Sequence, residues 1–339
     1  MAGEKAVFAG VGHHLPEHEV SSTDVERRVY EMAQFQLPAG LLQKLTGIES
    51  RHYRSDDEQA SDLALKASVR ALERASIDPA DLDVVIFASC TQDISEPATA
   101  NILQEKLGAK RSHVFDIKNA CNSFLNGLDV ADSLIRAGKA RTVLIAVGET
   151  LSCCIDWRIT SKDQLRTGMS GLTLGDAGAA AVVRAETNGN GRGLLPSAFQ
   201  TYGDQWRLAT VLGGGSMHRF AEEYSYFSGE SRLLREQALK HIPGLVQKVL
   251  ANIGWRAEDV DVACCHQITV DLVDAIAEMC GVPAERCVLS VRDCGNTAAA
   301  SIPLGLSRAV DEGRLYPGAK VILVGAAAGF SVGVVPLVW

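Results

Sequence analysis

Val114-Phe-Asp-Ile-Lys-Asn-Ala-Cys121-Asn-Ser-Phe-Leu-Asn-Gly-Leu-Asp129 reads as an apolar strand that passes through a short polar stretch into a helix. A cysteine held at that hand-over meets the free amides of a helix N-terminus, which stabilise negative charge and lower a thiol's pKa. The thiolate is then available as a nucleophile or leaving group. Residue type alone leaves a second reading open, because free cysteine also packs as a small buried hydrophobe. The rest of the chain decides between them.

Working outward, short β-rich apolar runs recur at 6–11, 84–89, 143–147, 179–183, 260–264 and 321–324. Between them, helical spacing appears at 60–75, with Leu63, Leu65, Val69 and Leu72, and at 231–253, with Leu234, Leu239, Ile242, Val246 and Leu250. The pattern predicts an α/β protein.

The two halves of the chain resemble each other. Leu72 to Val84 matches Leu250 to Val262, and Val143-Leu-Ile-Ala146 matches Val321-Ile-Leu-Val324, both at an offset of 178 residues. Between these anchors, Gly108 and Val114-Phe-Asp-Ile overlay Gly281 and Val288-Leu-Ser-Val with a small slip. A duplicated unit is expected, with halves 1–185 and 186–339 packed as one globule. Residues 195–244, including Trp206, Leu212-Gly-Gly-Gly215, Tyr224 and Phe227, have no counterpart in that register. They read as an insertion, either a cap over a pocket or a surface excursion.

The chain has 339 residues, 47% of them hydrophobic and 22% charged, enough for a large core. A formal net charge of −8 with no basic stripe argues against nucleic-acid binding. No apolar run approaches the roughly 18 residues that span a bilayer, and the N-terminus lacks a signal-peptide layout, so a cytoplasmic location is expected. Nine cysteines then read as reduced thiols. Cys153-Cys154 and Cys264-Cys265 lack the spacing of a zinc site, so neither a metal nor a cofactor is expected.

In the second half, the run ending at Cys265 leads into His266-Gln267, and 288–291, read as a strand, leads into Cys294-Gly295-Asn296-Thr297. Ligands gather beyond the carboxyl ends of strands in α/β sheets. A structural histidine and a helix N-cap asparagine remain the alternatives at these two positions.

Cys121, His266-Gln267 and Gly295-Asn296-Thr-Ala-Ala-Ala-Ser301 together resemble the Cys-His-Asn set of the ketoacyl synthase III branch of the thiolase superfamily. Thr46-Gly-Ile-Glu-Ser-Arg51, Thr173-Leu-Gly-Asp176-Ala-Gly-Ala-Ala180 and Gly325-Ala-Ala-Ala-Gly329 look like further signatures of that branch. The resemblance implies a duplicated five-layer αβαβα fold and a homodimer acting on acyl-CoA or acyl carrier protein thioesters. A closer likeness is to OleA-type enzymes, which join two acyl-CoA molecules head to head. It rests on Gln36-Leu-Pro-Ala-Gly, Asp93-Ile-Ser-Glu96-Pro-Ala-Thr-Ala100 and the stretch around Cys121. In OleA-like proteins the glutamate before that proline reaches into the partner's site, and Glu96 occupies its place. Two positions depart from the wider branch. Leu41-Leu-Gln-Lys-Leu45 lacks the tryptophan that stacks on the CoA adenine, and Ala326-Ala327-Ala328 stands where glycines are usual.

The resemblance implies acyl transfer to Cys121, with the amides of Cys121 and Ala328 as an oxyanion hole, followed by a Claisen condensation. A malonyl donor would lose carbon dioxide beside His266 and Asn296; a simple acyl donor would need a base such as Glu96. The non-decarboxylative reaction is the first expectation. A decarboxylative ketoacyl synthase III, or acyl transfer to another acceptor or to water, is the alternative. From another class comes a heterodimer subunit that lends Glu96 to a homologous chain. A redox sensor is disfavoured, since a sensor needs a resolving thiol and Cys121 has no sequence-adjacent partner.

Overall fold

Side chains of successive strand residues point to opposite faces of a sheet, and here that alternation sorts the apolar residues into separate cores. The computed structural model describes residues 4–187, 191–219 and 221–339. Along Val84–Ala88, residues Val84, Ile86 and Ala88 enter one apolar cluster while Val85 and Phe87 enter another. Along Val262–Cys265, Val262 and Cys264 enter that same first cluster, and Ala263 and Cys265 a third. The adjacent cysteines Cys264 and Cys265 therefore belong to opposite faces.

The first sheet has five strands in the order Glu4–His14, Ala177–Thr187, Thr142–Glu149, Val84–Ala88 and His113–Ile117. Val84–Ala88 is parallel to both of its neighbours. The second sheet runs Val262–Cys265, Lys320–Ala327, Ser331–Val338, with Gly193–Leu194 and Ala198–Thr201 both paired to Ser331–Val338. Helices Ser123–Arg136 and Ser301–Asp311 lie between the sheets, inserting Phe124, Leu125, Leu128, Ile135, Ile302, Leu304 and Leu306 into the shared cluster. Helices Ala60–Ala75 and Thr99–Leu107 cover the outer face of the first sheet, and Ser231–Asn252 and Val270–Cys280 that of the second. The result is the five-layer αβαβα arrangement. Each fully buried leucine or phenylalanine of the central helices contributes about 1.5–3 kcal/mol.

Packing is tight where the first sheet meets its outer helix. A Cβ added at Gly148 would lie 1.8 Å from the Ala60 carbonyl oxygen, so only glycine fits just before Glu149.

Within 195–244, Ala198–Thr201 is a strand of the second sheet and Ser231–Asn252 begins the outer helix. Between them, Ala209–Thr210 pairs with Ser228–Gly229, and Phe227 packs toward the cluster beneath Leu37, Leu42 and Leu172.

Residues 288–291 are not the expected strand. Cys287, just before them, forms an isolated bridge with Ala263, and Val291–Cys294 is a short helix. The Gln267 side chain replaces the ladder: Nε2 donates to the Val288 carbonyl at 2.5 Å, and Oε1 accepts the Ser290 and Val291 N–H groups at 2.9 and 3.0 Å. One amide side chain satisfies three backbone groups that a partner strand would otherwise have paired.

Candidate active site

Cys121 lies two residues before helix Ser123–Arg136, and Ala120 before it takes φ +47°, a left-handed turn unusual for alanine. The Asn122 and Ser123 N–H groups donate to the carbonyls of Asn119 and Ala120, at 3.1 and 3.0 Å. Those first amides close the turn, and so the expected stabilisation of the thiolate by the helix terminus gives way to other groups.

Three neighbours act on the Cys121 sulfur. The Cys90 thiol hydrogen-bonds to it and does most to hold the Cys121 thiol well below its ordinary value. Burial opposes this, while the His266 charge, the His266 hydrogen bond and the Ala328 backbone amide reinforce it. Burial disfavours charge on His266, but the neighbouring Cys121 thiolate and its hydrogen bond more than offset that, leaving the imidazole raised. The site therefore favours a thiolate–imidazolium pair.

His266 is placed by its chain position and then by its ring. Its N–H donates to the Val324 carbonyl at 2.8 Å, extending the parallel pairing of Val262–Cys265 with Lys320–Ala327. Nδ1 lies 3.0 Å from Ser301 Oγ, whose own proton goes to the Ala298 carbonyl at 2.7 Å. Ser301 must then accept from Nδ1–H, which leaves Nε2 to face the sulfur.

Asn296 is buried and forms a bridge to Leu174; its N–H donates to the Thr173 carbonyl at 2.8 Å and its carbonyl accepts the Gly175 N–H at 3.0 Å. Oδ1 accepts the Ala298 N–H at 3.0 Å, reserving Nδ2 as the donor for a ligand. The signature segments meet behind it. Arg51, fully buried, donates to Ser22 Oγ and the Leu172 carbonyl, while Asp176 accepts from the Arg54 and Ser152 N–H groups.

Asn296 lines a cavity of about 250 Å³ whose wall includes Leu45, Thr46, Phe227, Leu234, Arg235 and Ile268, and no carboxylate. Leu45, the last residue of the Leu41–Leu45 segment, is exposed at this wall.

Glu96 is not gathered with Cys121, His266 and Ala328. It is exposed on the loop before helix Thr99–Leu107, with a cis peptide to Pro97. That loop is anchored on both sides: Asp93 accepts the Ser61 N–H at 3.0 Å, and Asp116 accepts the Thr99 and Ala100 N–H groups, each at 2.8 Å.

Two residues unmarked in the sequence reading complete the site. Glu149 is fully buried at the end of its strand, where Oε1 accepts the Cys90 N–H at 2.8 Å and Oε2 the Thr91 N–H and hydroxyl at 3.2 and 3.1 Å. Burial pushes its carboxyl up to about 7, against the hydrogen bonds from Cys90 and Thr91. Contact with Cys121, then burial and the Glu149 charge, push the Cys90 thiol well above its usual range. A carboxylate closing an otherwise uncharged strand was the one available signal for Glu149. Among the described residues, no cluster of His, Cys, Asp or Glu could hold a metal ion, and no helix is long and apolar enough to cross a membrane.

A five-layer αβαβα fold in which a cysteine with a lowered thiol pKa meets a histidine is the architecture of thiolase-like acyl transfer. The family model for 3-oxoacyl-[acyl-carrier-protein] synthase III matches residues 115–203, and the model for its C-terminal region matches 250–339. A beta-ketoacyl-[acyl-carrier-protein] synthase III from Chelativorans is 33% identical, over 99% of both chains. One from Dinoroseobacter shibae is 33% identical over 99% of this chain and all of its own. The crystal structure of FabH from Pseudomonas aeruginosa superposes with a TM-score of 0.88 at 30% identity, covering 99% of this chain and 98% of its own. Cerulenin-bound OleA from Xanthomonas campestris does so at 0.88 and 25% identity, covering 100% and 98%. The chain belongs to the beta-ketoacyl-[acyl-carrier-protein] synthase III family and is a condensing acyltransferase, with OleA among its structural relatives.

Proposed function

We propose that the protein loads an acyl group from a CoA or carrier-protein thioester onto Cys121 and condenses it, without decarboxylation, with a second acyl thioester. The product is a 2-alkyl-3-ketoacyl thioester. Cys121 attacks as the thiolate, and its acyl-enzyme conserves the thioester's reactivity. In the acylated enzyme the thiolate no longer claims the Ala328 amide, which with the Cys121 amide then holds the tetrahedral oxyanion, a donor of this kind being worth roughly 3–4 kcal/mol. His266 and Asn296 Nδ2 hydrogen-bond the enolate oxygen of the second substrate.

The observation that carries the choice is the placement of carboxylates. The cavity wall has none, Glu149 is sealed behind Cys90, and Glu96 stands exposed on an anchored loop. A second copy of the chain that covers this loop brings Glu96 to the α-proton of the donor, where burial raises its basicity. The working unit is thus a homodimer, and no cofactor takes part.

The named relatives at 33% identity support a second reading, decarboxylative condensation with a malonyl thioester, which needs only His266 and Asn296. Supplying an acyl-CoA with carboxyl-labelled malonyl-CoA separates the two. The first reading expects product from acyl-CoA alone, with no labelled carbon dioxide. Product that appears only with malonyl-CoA, with matching carbon dioxide release, overturns it.

A further inference from the structure

The sequence holds no thiol adjacent to Cys121, but the fold supplies one. Val84–Ala88 and His113–Ile117 are neighbouring parallel strands in which Ala88 pairs with Ile117. Strands in a sheet lie about 4.8 Å apart, so segments leaving the same end remain side by side. Cys90 leaves the first and Cys121 the second. Their side chains meet in a hydrogen bond, both are half-buried, and both pack on the cluster that includes Leu151, Leu174 and Ala298.

We propose that Cys121 and Cys90 form a peroxide-sensitive pair, with Cys90 as the resolving thiol that closes a reversible disulfide over the nucleophile. In the first step the Cys121 thiolate attacks a hydroperoxide. An S–O bond forms, the O–O bond breaks, and the departing alkoxide or hydroxide takes a proton from His266. Cys121 becomes a sulfenic acid. In the second step Cys90 gives its proton to Glu149, and its sulfur attacks the Cys121 sulfur. The S–S bond forms, the S–O bond breaks, and hydroxide leaves as water with the proton from Glu149. Two thiol sulfurs are oxidised by two electrons and one peroxide is reduced. The thiolate supplies the reactivity and the neighbour supplies the escape from over-oxidation.

The other thiols contrast with this pair. Burial raises Cys154 and Cys287 to about 11 and Cys280 and Cys294 to about 12, and it pushes Cys264 and Cys265 well above the ordinary thiol range. Cys153 is exposed, and its sulfur accepts hydrogen bonds from Arg54 Nε and Nη2 at 3.3 and 3.2 Å.

The test treats the reduced, full-length protein with hydrogen peroxide and maps its cysteines by mass spectrometry without reduction. The expected result is a peptide pair joining Cys90 to Cys121, lighter by two hydrogens, with loss of acyl loading that dithiothreitol restores. Cys90→Ser should instead gain two oxygens on Cys121 and stay inactive after dithiothreitol. Sulfinic acid on Cys121 in the unaltered protein with no joined peptide, or a disulfide from Cys121 to any other cysteine, overturns the proposal. The proposal rests on Cys121 as the reactive thiolate. Because the peptide map requires no turnover, its failure is distinguishable from failure of the condensation reading.

Discussion

Asn122 Nδ2 donates to Ser331 Oγ at 2.9 Å and to the Ser331 carbonyl at 3.2 Å, tying the residue after the nucleophile to the second sheet. Both residues are buried. A Cβ at Gly325 would lie 1.9 Å from Asn122 Oδ1, so glycine is needed where the two halves close on each other. Asn122→Ala leaves the Ser331 groups unpaired and should cost about 1–3 kcal/mol, read by chemical denaturation. Gly325→Ala should displace Asn122 and slow acylation of Cys121 in an intact-mass time course.

The thiolate–imidazolium pair predicts how Cys121 alkylation depends on pH. Iodoacetamide should modify Cys121 well below the ordinary thiol range, because Cys90, His266 and Ala328 favour its ionised form. His266→Ala removes a positive neighbour, so the midpoint of the rate profile should move upward. An unchanged midpoint would show that His266 carries no charge beside the sulfur.

Glu149 makes stability depend on pH in the opposite sense to a salt-bridged carboxylate. Its carboxyl is raised from 4.5 to about 7 in the folded chain, so between those values the folded state holds a proton that the unfolded state has released. Its contribution is retained below about 4.5 and lost as pH rises toward 7, a change on the order of 3 kcal/mol. Glu149→Gln is neutral throughout. Denaturation curves at about pH 5 and pH 8 should therefore show a smaller decline in the variant than in the original protein.

Mixing two inactive variants tests which site Glu96 serves. Cys121→Ala keeps Glu96 to lend, and Glu96→Gln keeps a Cys121 that loads. Random reassociation makes half the dimers mixed, each with one complete site, so about a quarter of the original condensing activity should return. If Glu96 acts within its own chain, none returns.

Cys121 and His266 were legible as residues that follow strands His113–Ile117 and Val262–Cys265, because apolar runs and polar punctuation are local properties of the chain, whereas Asn296 follows no strand. Their motifs matched a family whose fold the structure shares. The reading of 288–291 as a strand failed for a non-local reason: Gln267, distant in sequence, takes the backbone groups that a strand partner would have taken. The source of the lowered Cys121 thiol was likewise misplaced. The Asn122 and Ser123 amides close the turn, and the groups that lower the thiol come from residues 90, 266 and 328.

By itself the sequence carried the α/β alternation and, through motifs that resemble a known family, the class of condensing acyltransferase, since apolar periodicity and short motifs act over a few residues. Only the tertiary structure decided which thiol and which carboxyl stand behind Cys121. Cys90 and Glu149 arrive on neighbouring strands, 31 residues before and 28 after it, and register within the sheet sets their contact. Contact with Cys121 and burial then raise the Cys90 thiol, and burial raises the Glu149 carboxyl, shifts that residue type alone does not carry.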